Sequence, residues 1–180
     1  MRKLVVTEVL TADGVMEDPR GWHTPSWDED MAAVADAQMA ASDTLVLGRT
    51  TYEGFAADWP GAEAPGADHM NGVAKYVVST TLTAAHWNNT TVIRRDVAGA
   101  IAGMKGEEGG NIVVRGSATL VRWLLGRGLV DEFDLLIAPV IVGTGKRLFS
   151  EDLPRTPLRV VRATPLPSGV QHVVYAPSGP

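Results

Sequence analysis

The sequence predicts an α/β domain in which a mostly parallel mixed sheet carries helices on both faces and ends in an antiparallel hairpin. Three observations lead to this fold class. Short aliphatic and β-branched runs alternate with helical patterns, the last two such runs have no helix between them, and 180 residues fit one domain. We therefore expect a single domain over residues 1–180.

The first strand and helix patterns lie on either side of a loop rich in Pro, Gly and Trp. Residues 3–11 predict a strand, and Ala12-Asp13-Gly14 ends it because an Asp-Gly pair favours a turn. Residues 28–41 predict a helix with acidic residues in its first turn and apolar residues at helical spacing. A short strand over 44–47 then passes through Gly48 into a helix that begins near Thr50.

The middle of the chain continues the alternation. A helical turn is predicted over 67–71, followed by strands over 75–79 and 91–94 with a polar loop between them. Residues 96–105 predict a helix that Asp96 caps.

The last third predicts one more strand–helix–strand unit and the closing hairpin. Residues 111–115 form a strand that leads through Gly116-Ser117 into a helix over 118–126. Residues 133–142 form a long apolar strand in which Pro139 places a bulge or an edge. Strands over 158–163 and 170–175 form the hairpin.

Composition excludes several classes of function. A net charge of −5 gives no basic surface for nucleic acid or an anionic membrane, and no apolar run approaches the about 20 residues of a membrane-spanning helix. Thr7, Glu8 and Asp13 interrupt the N-terminal apolar run, so we expect a cytoplasmic protein without a secretory signal. The absence of cysteine excludes disulfides and thiolate metal sites, and the four scattered histidines predict no metal site.

Two strands are followed by glycine, hydroxyl residues and a helix start, a pattern typical of anion binding. The first comprises Gly48, Arg49 and Thr50, and the second comprises Gly116 and Ser117. Glycine permits close approach of the backbone, and the free N–H groups of a helix start attract a phosphate. Each motif alone is also compatible with ordinary helix capping.

Two further strand ends carry similar side chains, Ser79-Thr80 and Arg94. Ligands of open α/β sheets collect at the carboxyl ends of strands, so these four ends can converge on a dinucleotide with a 2′-phosphate. The G-x-G-x-x-G and P-loop motifs are both absent, and Gly143-Thr144-Gly145-Lys146 is interpreted as a turn.

In order along the chain, the segments GRTTYE, KYVVST and VVRGSATLVRWLL resemble the dihydrofolate reductase superfamily. The resemblance covers nearly the whole chain and implies a dihydrofolate-reductase-like three-layer sandwich that binds NADPH. The cofactor-binding residues implied by the resemblance and by the strand ends are Ala12, Gly14, Gly48, Arg49, Thr50, Ser79, Thr80, Arg94, Arg115, Gly116, Ser117, Ala118 and Thr119.

LTADGV and GSATLVRWLLGRGLVDEFDLLIAPVIVGTGKRLF are similar to the reductase domain of the riboflavin-pathway deaminase-reductases and to small stand-alone bacterial proteins of that superfamily. The companion deaminase uses a zinc held by cysteines, so only the reduction step is expected here. Arg115-Gly116 stands where dihydrofolate reductases have two adjacent glycines, and this departure puts the cis peptide of that site in doubt. The arginine can instead reach the ligand.

The resemblance implies a hydride transfer from NADPH to a small heterocycle, as in 5-amino-6-(5-phosphoribosylamino)uracil reductase. We expect substrate contacts from Asp13, from Trp22 and Trp27 in the segment 22–28, and from the helix that carries Tyr52 and Phe55. Asp28 is the candidate proton donor, and the alternative is that it caps the helix that it begins. For the tryptophans, the alternative is that they pack the loop onto the sheet.

Other functions fit the same sequence. One is a dihydrofolate or pterin reductase, another is a non-catalytic nucleotide-binding protein, and a third is a structural subunit. We also expect a homodimer, in which the apolar strand over 133–142 could pair across the interface.

Overall fold

The structure is a computed structural model, and it describes residues 1–22, 28–149 and 153–178. The strands of the described residues are β1 (Leu4–Thr11), β2 (Ser42–Gly48), β3 (Ala74–Val78), β4 (Thr90–Ile93), β5 (Asn111–Val114), β6 (Glu132–Ala138), β7 (Leu158–Pro165) and β8 (Gln171–Pro177). The helices are α1 (Glu29–Ala40), α2 (Arg49–Asp58), α3 (Ala67–Gly72), α4 (Val97–Gly106) and α5 (Ala118–Leu125), with a short 3₁₀ helix at Pro19–Gly21.

All the strands belong to one sheet in the order β4-β3-β2-β5-β1-β6-β8-β7. The six strands from β4 to β6 are parallel, while β8 is antiparallel to both β6 and β7. The predicted mixed sheet with a C-terminal antiparallel hairpin is therefore confirmed.

The buried side chains alternate between the two faces of the sheet, as strand geometry requires. On one face, Val46 of β2 and Val114 of β5 pack in the cluster that contains Ile101 of α4 and Val121 of α5. On the other face, the flanking Leu45 and Leu47 pack against α2 and α3, and Met31 of α1 packs on Leu136. Helices cover both faces, so the three-layer arrangement is confirmed.

The predicted strand over 133–142 is shorter than expected. It ends at Ala138 because Pro139 has no backbone N–H to continue the ladder. Both edges of β6 are occupied, by β1 and by β8. The idea that this strand pairs across a dimer is therefore wrong.

Within the described residues, each helix is too short or too polar to cross a lipid bilayer. The cytoplasmic location stays a prediction.

Candidate functional site

The carboxyl ends of six parallel strands lie along one edge of the sheet. The chain runs from β1 to β2 by passing over the position of β5, and it later places β6 on the opposite side of β1. Crevices form where successive connections leave a sheet in opposite directions, so the ligand site of this fold is expected around the ends of β2, β5 and β1.

The starts of α2 and α5 lie side by side at this edge. The Gly48 N–H donates a hydrogen bond to the Gly116 carbonyl over 3.1 Å. A Cβ atom at Gly48 would lie 2.6 Å from the Ser117 hydroxyl oxygen, and one at Gly116 would lie 2.8 Å from the Thr51 hydroxyl oxygen. Only glycine fits at these two positions, and the close approach brings two helix N-termini together for one anion.

The two helix starts differ in how their N–H groups are satisfied. Gly48 is the N-cap of α2 and provides no side-chain acceptor, so the first N–H groups of α2 are available to a ligand. At α5 the Ser117 hydroxyl accepts from the Leu120 N–H at the long distance of 3.5 Å. The phosphate oxygens of a dinucleotide can accept hydrogen bonds from these backbone N–H groups. Both helix starts are therefore suited to bind a dinucleotide.

Residues after β3 and β4 form a second group of donors beside α2. The Arg49 guanidinium donates to the Thr81 hydroxyl over 3.2 Å. The Ser79 hydroxyl accepts from the N–H groups of Thr81 and Leu82, and Arg94 donates to the Leu82 carbonyl over 2.6 Å. Ser79 and Arg94 therefore hold the segment that faces Arg49, while the exposed Thr80 belongs to the same turn.

A cavity of about 730 Å³ opens next to these helix starts, between the sheet edge, α1 and α2. It extends from the predicted phosphate region to an apolar chamber, by which we mean the part lined by Val9, Met16, Phe55, Trp59 and Leu136. Its described lining comprises Thr7, Glu8, Val9, Met16, Asp18, Pro19, Arg20, Ala35, Gln38, Thr50, Thr51, Gly54, Phe55, Asp58, Trp59, Ala62, Ala64, Arg115, Gly116 and Leu136. The size suits a flat heterocycle with a nicotinamide beside it.

Glu8 of β1 is the most unusual titratable group in this cavity. Burial raises its pKa to about 8, while the positive charge of Arg115 and the backbone of Gly116 limit the rise. Its Oε1 atom is buried and has no hydrogen-bond partner among the described residues. A buried polar atom without a partner costs stability, and such atoms concentrate at functional sites.

Thr7 has a similar environment on the other face of β1. Its hydroxyl oxygen is buried and unpartnered among the described residues, and it lines both the large cavity and a second cavity of about 180 Å³ under α1. In the smaller cavity, Asp134 Oδ1 lies 2.7 Å from His172 Nε2 and accepts from Gln38 over 2.9 Å. This buried polar network satisfies its own members and supports the wall shared with the large cavity.

The turn after β1 uses its polar groups internally. The Asp13 carboxylate accepts from the Thr11 hydroxyl over 2.7 Å and from the Gly143 N–H over 2.9 Å, and it pairs with Arg147. These hydrogen bonds lower the pKa of Asp13 to about 2. Asp13 therefore fixes the loop at 143–147 rather than facing the large cavity, whose described lining omits it.

The same turn fixes the backbone of Ala12 and Gly14, the two residues on either side of Asp13. Ala12 donates its N–H to the Val140 carbonyl, and Gly14 adopts a positive φ of 81°. Their backbone stays at the carboxyl end of β1, as the cofactor prediction requires.

Asp28 is an N-cap in the structure. Its Oδ1 accepts from the Met31 N–H over 2.8 Å, and this bond is the main cause of its lowered pKa. It is absent from the described cavity lining, so the capping alternative explains it.

The predicted aromatic contacts divide into three groups. Phe55 lines the large cavity. Tyr52 is buried instead under α2, where its hydroxyl accepts from the N–H groups of His86 and Trp87. Trp22 donates its indole N–H to the Glu17 carbonyl, and Trp27 lies outside the described residues.

The structure contains the cis peptide that the replacement of one glycine by Arg115 put in doubt. The bond between Gly116 and Ser117 is cis, one residue after the position where the resemblance has its double glycine. Gly116 has a φ of 69°, which glycine adopts without the usual Cβ clash, so one glycine is sufficient at this turn. Arg115 meanwhile lines the large cavity, and a contact between Arg115 and the ligand stays a prediction.

Among residues 1–22, 28–149 and 153–178, no three His, Asp or Glu side chains converge in a way that could hold a metal ion.

The sheet order, the helix placement and the crevice define a dihydrofolate-reductase-like domain. A solved dihydrofolate reductase from Enterococcus faecalis, in complex with NADP(H), matches with a TM-score of 0.67 and 17% identity over 98% of this chain and 97% of the other. A pyrimidine reductase-like protein from Corynebacterium diphtheriae matches with a TM-score of 0.72 and 16% identity over 99% of this chain and 93% of the other. A Shewanella sp. PV-4 protein named for riboflavin biosynthesis gives a TM-score of 0.77 at 20% identity, covering 98% and 99% of the two chains.

Within that class, the chain belongs to the RibD C-terminal domain family, whose model matches residues 2–172. Two Bacillus subtilis proteins are similar over nearly their whole length. YyaP is 29% identical over 97% of this chain and 94% of its own, and YwjB is 28% identical over 97% and 99%.

Sequence reasoning missed Glu8 as a site residue. The available signal was a single carboxylate within an apolar strand, flanked by Val5, Val6, Val9 and Leu10. A charged residue at an inward position of a central strand is expensive to bury, so its presence there indicates a function.

Proposed function

We propose that this protein is an NADPH-dependent reductase that transfers a hydride to a small heterocyclic substrate, of the kind that 5-amino-6-(5-phosphoribosylamino)uracil reductase uses. The observation that carries the proposal is the pairing of the α2 and α5 starts beside the large cavity. The family membership supports the same class of reaction.

Two groups of residues would bind the two phosphate-bearing parts of NADPH. Thr50 and the Gly116–Thr119 segment would hold the pyrophosphate at the helix starts, and Arg49 with Ser79, Thr80 and Arg94 would hold the adenosine phosphates. Phe55 and Leu136 give the heterocycle an apolar wall. Bound NADPH supplies the hydride, because no protein side chain can carry one.

The first experiment is a titration of the purified protein with NADPH and, in parallel, with NADH, followed by quenching of tryptophan fluorescence. We expect micromolar binding of NADPH and much weaker binding of NADH, because the 2′-phosphate would pair with the arginines beside α2. Absence of binding by both nucleotides would contradict the reductase proposal. A screen of pterins and ribosylamino-pyrimidines then identifies the substrate.

Replacing Arg49 tests the phosphate site directly. We expect Arg49→Ala to raise the Kd for NADPH at least tenfold, which corresponds to about 1.4 kcal/mol. The matched control is Arg127→Ala, since Arg127 stacks on Trp123 at the far end of α5 and contacts none of the site. An unchanged Kd in Arg49→Ala would remove Arg49 from the site.

We further propose that the protein is a homodimer. Because β6 is enclosed, the strands with an open edge are β4 and β7, and β7 is the more apolar of the two, with Val160 61% exposed and Val161 45% exposed. Sedimentation equilibrium measures the mass directly, and a monomer at all concentrations would contradict the proposal.

A further inference from the structure

We propose that Glu8 is the proton donor of the reduction, and that Arg115 stabilises the carboxylate that Glu8 becomes. The inference rests on the proposed function and extends it to a residue and to a class of acceptor. The acceptor would be a heterocycle whose hydride-receiving carbon is doubly bonded to nitrogen or oxygen.

The position of Glu8 supports this role. It sits on β1, the strand between β5 and β6, and it lines the large cavity together with Gly116 at the start of α5. A Cβ built at Gly116 would lie 3.5 Å from Glu8 Oε1, so the acid borders the backbone where the pyrophosphate is proposed to bind. Glu8 therefore lies between the cofactor region and the apolar chamber.

The protein leaves Glu8 without an internal acceptor for its proton. A structural carboxylic acid in a core normally donates its proton to a nearby acceptor, and Oε1 has no such acceptor among the described residues, although the backbone of Gly116 donates to the carboxyl. The raised pKa of Glu8, to about 8, keeps most of the group protonated at neutral pH. A substrate nitrogen or oxygen in the cavity would supply the missing partner.

Arg115 is the group that can accommodate the charge left behind. It lines the same cavity, and burial lowers its pKa while the charges of Glu8 and Asp134 oppose that fall. A fixed cation in a desolvated site stabilises a developing anion more than it would in water. Arg115 thus acts on Glu8 as a positioning residue and limits the rise of its pKa.

The remaining charged groups around the pair lie at the cavity mouth or behind Arg115. Asp18, Arg20 and Asp58 are exposed at the mouth, where Arg20 and Asp58 approach to 3.7 Å. Asp134 and His69 interact with Arg115 from β6 and α3. The other side chains of α1 and α2 that face the cavity are uncharged, so Arg115 is the main charge acting on Glu8.

The substrate carbon gains the hydride, whose electron pair comes from the reduced nicotinamide, and that nicotinamide is oxidised. The O–H bond of Glu8 breaks as an N–H or O–H bond forms on the substrate. The resulting carboxylate would be stabilised by the positive charge of Arg115 and would regain a proton from solvent before the next turnover.

A carboxyl titration tests the acid without any turnover. In protein labelled with ¹³C at the glutamate carboxyl carbons, the Glu8 signal is assigned by its loss in Glu8→Gln. We expect a midpoint near 8, an upward shift in Arg115→Met, and no shift in the surface control Arg127→Met. A midpoint near the ordinary value of 4.5 would overturn the proposal, because a carboxylate has no proton to give.

Hydride transfer tests the role. In single turnovers of the NADPH-loaded protein with 7,8-dihydrofolate as the probe acceptor, we expect Glu8→Gln to slow NADPH oxidation by about a hundredfold or more, with the NADPH Kd changed less than about twofold. Glu8→Asp, which keeps the acid, should recover part of the rate. In the wild-type protein the rate should fall as pH rises through the Glu8 midpoint, and Arg115→Met should move that fall to higher pH.

The two possible failures are distinguishable. NADPH binding with an undiminished rate in Glu8→Gln would overturn the role of Glu8 and leave the reductase proposal standing. Absence of NADPH binding in the wild-type protein would remove the reductase proposal, and this inference with it.

Discussion

Lys75 shows how a single buried residue can make the stability of the protein depend on pH. Its side chain is fully buried, its Nζ donates to the carbonyls of Asn71 and Val73, and it lies 4.4 Å from the centre of the Trp87 ring. Burial lowers the pKa of Lys75 from 10.5 to about 8 in the folded protein. The unfolded chain therefore binds one more proton than the folded protein between these two values.

This difference makes the stability depend on pH with a definite sign. Because the unfolded state binds more protons, the free energy of unfolding should rise between pH 8 and 10.5, by up to ~3 kcal/mol from this group. Urea unfolding of the wild type and of Lys75→Met, measured across that window, isolates the contribution of Lys75. Parallel pH profiles for the two proteins would show that Lys75 keeps its ordinary pKa.

At the scale of the element, the start of α1 depends on Asp28. The side chain accepts from the Met31 N–H, and the next two residues, Glu29 and Asp30, add negative charge to the first turn. We expect Asp28→Ala to lower the melting temperature by a few degrees and to leave the NADPH Kd unchanged, and Asp28→Asn to retain most of the cap. Loss of hydride transfer in a well-folded Asp28→Asn protein would return Asp28 to the catalytic site.

Elements were predictable from the sequence where a local pattern decides them. Asp96 and Ser117 cap α4 and α5 as their spacing predicts, because a cap depends on residues within one turn. The end of β6 at Ala138 was missed by four residues, because apolar character continues past Pro139 although the ladder cannot.

The site was less predictable because its key contacts join distant segments. The glycines at 48 and 116 were identified from their strand–turn–helix context, but their mutual approach depends on the order of β2 and β5 in the sheet. The partnership of Glu8 with Arg115 likewise arises between adjacent strands that are far apart in sequence. Tyr52 was expected to contact the substrate, but its hydroxyl accepts from the N–H groups at 86–87, and sequence alone does not show which segment a helix face meets.

At the scale of the molecule, cofactor binding should be visible as stability. A ligand that binds only the folded state at a hundred times its Kd adds about 2.7 kcal/mol, which for a chain of this length raises Tm by roughly 5–10 °C. Thermal unfolding with NADPH, and with NADH at the same concentration, measures the effect. Equal shifts for the two nucleotides would show that the 2′-phosphate is not recognised.

The cavity is assembled from two kinds of structure. Glu8 and Arg115 belong to or directly follow central strands whose positions the backbone ladder sets, whereas Asp18, Arg20 and Asp58 come from the 3₁₀ segment and the far end of α2. Sequence change is tolerated far better in such peripheral segments than in central strands. Proteins that evolve from this chain could therefore change the acceptor molecule by substitutions at Asp18, Arg20 and Asp58. Glu8 and Arg115 would stay the same in such proteins.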